Sequence, residues 1–392
     1  MSSDNKQIDA IEARLDEFAA SAMLQKTYDF GYPLNQKSKL IGFYRWFWGS
    51  GINLSTLDNA GDPFDIQEKL PNSLMFEREV IEYFGKLYKF DEEEVWGIVT
   101  FSGTDGNNHG LYFGSKYLEK KTGKRPVLYV SDSAHYSSKR LADLQNLEMK
   151  LIPSDVHGCM DPDGLEKALI PDRPALVVYA LGTTFKGGID DQDTLNAVLA
   201  RHPSIEVYRH IDAALFGGYI PHSRYSDILN RKLHPFDSIA ISGHKYFGMD
   251  EPAGIFLTTK NVLNNQNPFD VSYLNRNMPM INCSRSAISP LKLWWIITHT
   301  SEEEFAGQTS DMLETAAWLK EELKKAGWPA WLEKASNTVY FKRPPEEIVD
   351  KYDLAPDYDE RLGGNLSHIV VMQHVTKDRL NTFLDDLKKV SG

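Results

Sequence analysis

Cysteine is almost missing from this chain: Cys159 and Cys283 are the only two in 392 residues. Two cannot make a disulfide framework, and both read as reduced thiols of a cytoplasmic protein. A basic excess is also missing. Lys plus Arg number 43 against 55 Asp plus Glu, a net charge of −12, so the chain lacks the positive field that phosphate backbones require, and nucleic acid is not an expected partner. No apolar run approaches the roughly 20 residues needed to span a bilayer. The opening MSSDNKQIDAIEARLDEF has neither the basic nor the apolar region of a signal peptide. These features predict a cytoplasmic chain with no membrane partner. No CxxC or HxxxH pair occurs, so a metal site among His109, His135, His210, Asp212 and His244 is the weaker reading. A Walker loop is absent, and the glycines at 103, 106 and 110 do not have dinucleotide-binding spacing.

What is present is ordinary for a globular protein: 42% hydrophobic and 25% charged residues. Ile8, Ile11, Leu15 and Phe18 recur at helical spacing and predict an amphipathic helix over 6–24, whose apolar stripe must cover this chain or a partner. Residues 30–75 are aromatic and punctuated by Gly and Pro, and read as irregular loops in which Trp46 and Trp48 are packing aromatics. A helix is expected over Phe76–Leu87. Seven β-rich apolar runs then follow: Trp96–Phe101, Val127–Ser131, Met149–Pro153, Ala175–Leu181, Glu206–Ile211, Ser238–Ser242 and Gly254–Thr258. Their spacing predicts an α/β fold with a mostly parallel seven-stranded sheet covered on both faces. After about residue 300 the pattern changes. Ser301 and Glu304 open a helix closed by Gly327, the runs Thr338–Lys342 and His368–Gln373 read as strands, and Thr376–Val390 reads as a helix. The expected division is an amino-terminal segment over 1–75, a large domain over 76–298 and a small C-terminal α/β domain over 299–392.

Four short elements fall at predicted strand ends. Lys245, in Ser242-Gly243-His244-Lys245, follows an apolar strand, where ligands of open α/β sheets bind. A desolvated lysine there has its neutral amine favoured and can form a Schiff base. Ser102-Gly103-Thr104-Asp105-Gly106-Asn107 makes a strand–turn–helix junction of the kind that holds phosphate. Asp212, in His210-Ile211-Asp212-Ala213-Ala214, needs a cationic or hydrogen-bonding partner, and small Ala214 leaves room for a flat ring. His135 lies in Asp132-Ser133-Ala134-His135-Tyr136-Ser137. Taken singly, each reads as an ordinary loop or capping residue. Together they supply an anchor for every part of pyridoxal 5′-phosphate.

The chain resembles the group II pyridoxal-phosphate-dependent amino-acid decarboxylases, in the branch of the small bacterial histidine decarboxylases and plant serine decarboxylases. The resemblance rests on FGYP at 30–33, NSLMFEREVIEYFGKLYKF at 72–90, SGTDGN at 102–107, DSAHYS at 132–137, LGTTFKGGIDD at 181–191, HIDAAL at 210–215 and SGHK at 242–245. It implies the aspartate-aminotransferase-like fold (fold type I) and a homodimer with shared active sites. It implies that Lys245 forms the cofactor Schiff base, His135 stacks on the ring, Asp212 pairs with the pyridine nitrogen and Ala214 lies below it. Gly103, Thr104, Ser242 and His244 would hold the phosphate, with Thr183 near the phenolic oxygen. Tyr32, His135 and Arg285 are implied substrate contacts, and Tyr273 a catalytic residue.

The implied reaction is decarboxylation of an L-amino acid, histidine or a related aromatic or small one, to the amine and carbon dioxide. The chain departs from the family after Tyr273. The expected Gly-Ser-Arg-Asn-Gly reads Cys283-Ser284-Arg285-Ser286-Ala287, and a segment that carries an Asp in relatives reads Asn277-Met278-Pro279. The resemblance implies that this region closes the site and assists protonation. An altered outcome, such as a decarboxylating aldehyde synthase or a lyase acting on a non-standard amino acid, is therefore the alternative. A non-catalytic scaffold would not need Lys245, Asp212 and His135 together.

Overall fold

The computed structural model describes residues 3–66, 70–265, 269–271 and 276–390. The expected seven strands form one sheet: β1 (Val95–Thr100), β2 (Val127–Ser131), β3 (Glu148–Ile152), β4 (Ala175–Ala180), β5 (Val207–Asp212), β6 (Ser238–Ser242) and β7 (Gly254–Thr259). Their order is β1-β7-β6-β5-β4-β2-β3. β7 alone runs against the others, pairing antiparallel with both β1 and β6. The sheet is buried on both faces: every residue of the edge strand β1 and of β4, β6 and β7 is buried. That is why they read as continuous apolar runs rather than alternating ones.

The helix after β1 runs through Gly103–Thr122, and Leu74–Leu87 packs its inner side, with Val80, Ile81 and Phe84, on the sheet. A hairpin of β8 (Phe269–Val271) and β9 (Arg276–Met278) follows the main sheet. A second, antiparallel sheet has the order β10-β11-β13-β12, from β10 (Ala330–Leu332), β11 (Thr338–Lys342), β12 (Ala355–Asp359) and β13 (Gly364–Val370). Ser301 caps the helix Glu302–Lys325 by accepting the Glu304 N–H, and Gly327 leaves it at a φ of +84°. The expected strand at His368–Gln373 begins earlier, at Gly364, because β12 pairs along its first half. β12 itself carries the polar string APDYD with an exposed middle, so it has no apolar signature.

Two other expectations change. Within the stretch expected to be irregular, Ile41–Gly49 is helical. Trp46 and Trp48 are largely exposed within the chain, with ring contacts to Phe43 and Tyr44. The amino-terminal helix is longer than expected, Ser3–Tyr28, and its Ile11, Leu15 and Phe18 face solvent in a single chain. Among the described residues no helix is long and apolar enough to cross a membrane.

Candidate active site

Parallel strands bring their carboxyl ends to one edge, and the loops leaving β1, β2, β4, β5 and β6 meet there around a cavity of about 900 Å³. Gly103, Thr104, His135, Thr183, Asp212, Ala214, Ser242, His244, Lys245 and Tyr32 all line it. Two expected site residues do not join them. Tyr273 lies outside the described residues. Arg285 does not line the cavity within one chain, where its guanidinium is buried. Its Nη2 lies 2.9 Å from both carboxylate oxygens of Glu77 and its Nη1 donates to the Gly61 carbonyl at 3.1 Å. A buried guanidinium requires a counter-charge, and Glu77, itself fully buried, supplies it.

The turn after β1 is built for close approach. Ser102 caps the following helix, its Oγ accepting from the Asp105 N–H at 3.2 Å, and the first N–H groups of a helix have no intrahelical acceptors. Only glycine fits at 103, because a Cβ there would stand 2.4 Å from Ser242 Oγ. The loop after β6 therefore closes against the helix start, and Thr104, Ser242 and His244 gather beside it.

Asp212 ends β5 and is held through a chain of neutral groups. Its Oδ2 accepts from Asn107 Nδ2 at 2.9 Å, and its Oδ1 accepts from the Ala214 N–H at 3.3 Å. Asn107 Oδ1 is 2.9 Å from His210 Nε2, and His210 Nδ1 is 2.8 Å from Ser238 Oγ. With the amide nitrogen turned to the carboxylate, Asn107 Oδ1 is an acceptor, so His210 carries its proton on Nε2. Full burial pushes His210 down to about 3, which keeps the ring neutral. Asp212 is thereby oriented without a second charge to neutralise it.

Lys245 shares the cavity. Burial lowers its pKa, and the Asp212 carboxylate opposes that shift. Among the described residues nothing hydrogen-bonds its amine. His135 is also lowered, by burial first, with Asp212 opposing and Lys245 assisting. Its Nδ1 is 2.7 Å from Ser137 Oγ, which orients the ring. Burial likewise lowers His244, whose Nδ1 bonds the Ala253 carbonyl at 3.1 Å.

Three features escaped the sequence reading. Asn107 sits in a motif read only for its glycines; its burial one helical turn beyond Gly103 is the signal that could have singled it out. Lys186 is buried on the cavity wall in an ion pair with Asp359, and Arg361 grips the same carboxylate with Nε and Nη2 at 3.0 and 2.8 Å. These cations hold Asp359 well below the usual carboxylate range. The third feature is the wall itself, residues 355–361 of β12 and the turn after it.

Tested against pyridoxal phosphate, the residues present fit. A glycine cradle at a helix start suits the phosphate, an oriented carboxylate suits the ring nitrogen, and an amine with no other partner suits the aldehyde carbon.

The comparisons agree. Residues 113–341 match the pyridoxal-dependent decarboxylase conserved domain. The chain is 32% identical to serine decarboxylase 1 of Oryza sativa subsp. japonica over 92% of its own length and 72% of that protein's. It is 30% identical to the histidine decarboxylase of Morganella morganii over 95% of each chain. In fold it is similar to L-methionine decarboxylase from Streptomyces sp. 590, with a TM-score of 0.83 at 21% identity, covering 100% of this chain and 96% of that one. The architecture is that of the fold type I enzymes.

Proposed function

Because the chain belongs to the pyridoxal-dependent decarboxylase family, a family of pyridoxal-phosphate-dependent carboxy-lyases, we propose that it decarboxylates an L-amino acid, histidine or a related aromatic or small one, in the cavity around Lys245. The observation that carries this reading is the convergence of Lys245, Asp212, His135 and the Gly103 turn on one cavity. Tyr32 and Phe185 on its wall favour a flat or compact side chain.

Bound there, the cofactor supplies the electron sink for the breaking carbon–carbon bond. The chain's own residues do the rest. Lys245, with its neutral form favoured by burial, is the amine that ties the cofactor down and yields to the substrate's amine. Asp212 holds the proton on the ring nitrogen, and the Asn107–His210 chain fixes the direction in which its charge points. The N–H groups opening the helix at Gly103, with Thr104, Ser242 and His244, grip the phosphate. Thr183 orients the ring edge and Ala214 leaves space beneath it. His135 covers the exposed ring face and limits water there.

The working unit is a homodimer with shared sites, in the cytoplasm. Ile11, Leu15 and Phe18 on the amino-terminal helix, and Trp48 and Leu54 nearby in sequence, are each more than half exposed in one chain. An apolar stripe on a 26-residue helix needs a cover, and a second copy provides it.

Incubating the cofactor-loaded protein with each of the twenty amino acids, and reading products by mass spectrometry, tests the reaction. One amine with carbon dioxide is the expected result. An aldehyde with ammonia would replace the decarboxylase reading by the oxidative one.

A further inference from the structure

The Lys245 amine has no hydrogen bond among the described residues, so its aim depends on its backbone. The next residue is held unusually firmly. The Tyr246 carbonyl accepts from Asn35 Nδ2 at 2.8 Å and from Gln373 Nε2 at 2.9 Å. A carbonyl oxygen has two lone pairs, and two side-chain amides use both. The donors come from opposite ends of the chain, 211 residues before and 127 residues after Tyr246. The Tyr246 ring is fixed as well: it is buried, and its hydroxyl lies 3.0 Å from the Phe305 carbonyl and 2.9 Å from Thr309 Oγ1. Gly248 completes the turn at a φ of +67°, its N–H donating to the Lys245 carbonyl at 3.2 Å. A Cβ at 248 would stand 3.0 Å from Asn35 Nδ2, so glycine is what lets the amide approach.

We propose that Asn35 and Gln373 are positioning residues that clamp the Tyr246 carbonyl and so hold Lys245 at the angle its amine needs to engage the cofactor. The inference rests on Lys245 being the cofactor lysine. Neither amide touches the cavity. Each belongs to a segment that does: Asn35 follows Tyr32 and Pro33, and Gln373 follows His368 and Val370, all four of which line it. The clamp therefore ties the two walls that face the substrate to the lysine that must release it. Misplacing a reacting group by about 1 Å can cost on the order of a hundredfold in rate, so a backbone anchor one residue from the amine is well placed to matter.

The test compares the wild-type holoenzyme with Asn35→Leu, Gln373→Met and the double variant, which remove the donors without adding charge. The readouts are the rate at which borohydride fixes the cofactor on the Lys245 peptide, the near-visible absorbance maximum and the melting temperature. Each single variant should slow fixation about threefold and the double variant about tenfold, as expected for hydrogen bonds of ordinary net strength. The absorbance maximum should move in the double variant. A purely structural role would lower the melting temperature and leave the rate and spectrum of the folded fraction unchanged, which would overturn the proposal. If the double variant does not melt cooperatively, the Gln373→Met comparison alone decides on the same criteria. Cofactor fixed on another lysine of the wild type would overturn the parent reading; fixation on Lys245 at an unchanged rate in the variants would overturn the clamp alone.

Discussion

Asn107 Nδ2 donates to Asp212 Oδ2 across 2.9 Å, joining the helix Gly103–Thr122 to the carboxyl end of β5. The two residues are 105 positions apart. Their contact sets both the direction of the carboxylate and, through Asn107 Oδ1, the tautomer of His210.

Replacing Asn107 with Leu should therefore weaken cofactor binding by roughly tenfold to a hundredfold, the range for losing a hydrogen bond to a charged group. Titrating the apoprotein with pyridoxal phosphate and following fluorescence measures it. Unchanged affinity and turnover would show that Asp212 needs no such support.

Lys245→Ala should abolish turnover and the near-visible absorbance of the loaded protein, since the other lysine on the cavity wall, Lys186, is held in its ion pair with Asp359. Activity retained at the wild-type level would remove Lys245 from the mechanism.

Arg285→Met should destabilise the fold by about 3 kcal/mol, because it strands the buried Glu77 charge. The double change with Glu77→Gln should recover part of that loss. Denaturant unfolding gives the stabilities, and a change in KM without a loss of stability would restore Arg285 as a substrate contact, made across the dimer.

His374 is buried and its pKa is lowered to about 4, by burial first and then by Arg379, Lys26 and Lys37, against an opposing bond to the Asp29 backbone. A histidine whose folded pKa lies below its unfolded value of about 6.5 adds stability that is whole above 6.5 and lost as pH falls toward 4. The wild type should thus lose roughly 2–3 kcal/mol over that window that a His374→Gln variant keeps. Asp29, raised to about 6, and Asp190, raised to about 7, both mainly by burial, act in the opposite sense. The difference between variant and wild type isolates His374 from them. Parallel stability–pH curves for the two proteins would refute the assignment.

On the proposed dimer, Leu15→Glu with Phe18→Glu should give monomers in sedimentation velocity and lower activity at least tenfold, because a site shared between copies would then be incomplete. Full activity from monomers would show that one chain suffices.

Strand positions and the ring of site residues at the strand ends were legible because a sheet buried on both faces demands uninterrupted apolar runs, and a chain leaving such a strand must place its next polar residues at the same edge. Lys245, Asp212, His135 and the Gly103 turn each carry that local mark. β12 carried none, since its residues APDYD are polar and the strand exists only by pairing with β13. The place of Arg285 in one chain was hidden for a related reason. Its spacing from Tyr273 resembles the family pattern, but where a guanidinium goes depends on which carboxylate folding brings to it, and here that is Glu77, 208 residues away. The local pattern of apolar and turn-forming residues thus specifies the layers and the residues that gather at the strand ends, because each follows from burial or backbone geometry within a few positions. The pairings Asn107–Asp212, Lys186–Asp359 and Asn35–Tyr246 come from the crossing of distant elements. Hydrogen-bond direction across such crossings is a property of the packed chain and leaves no periodic trace in the order of its residues.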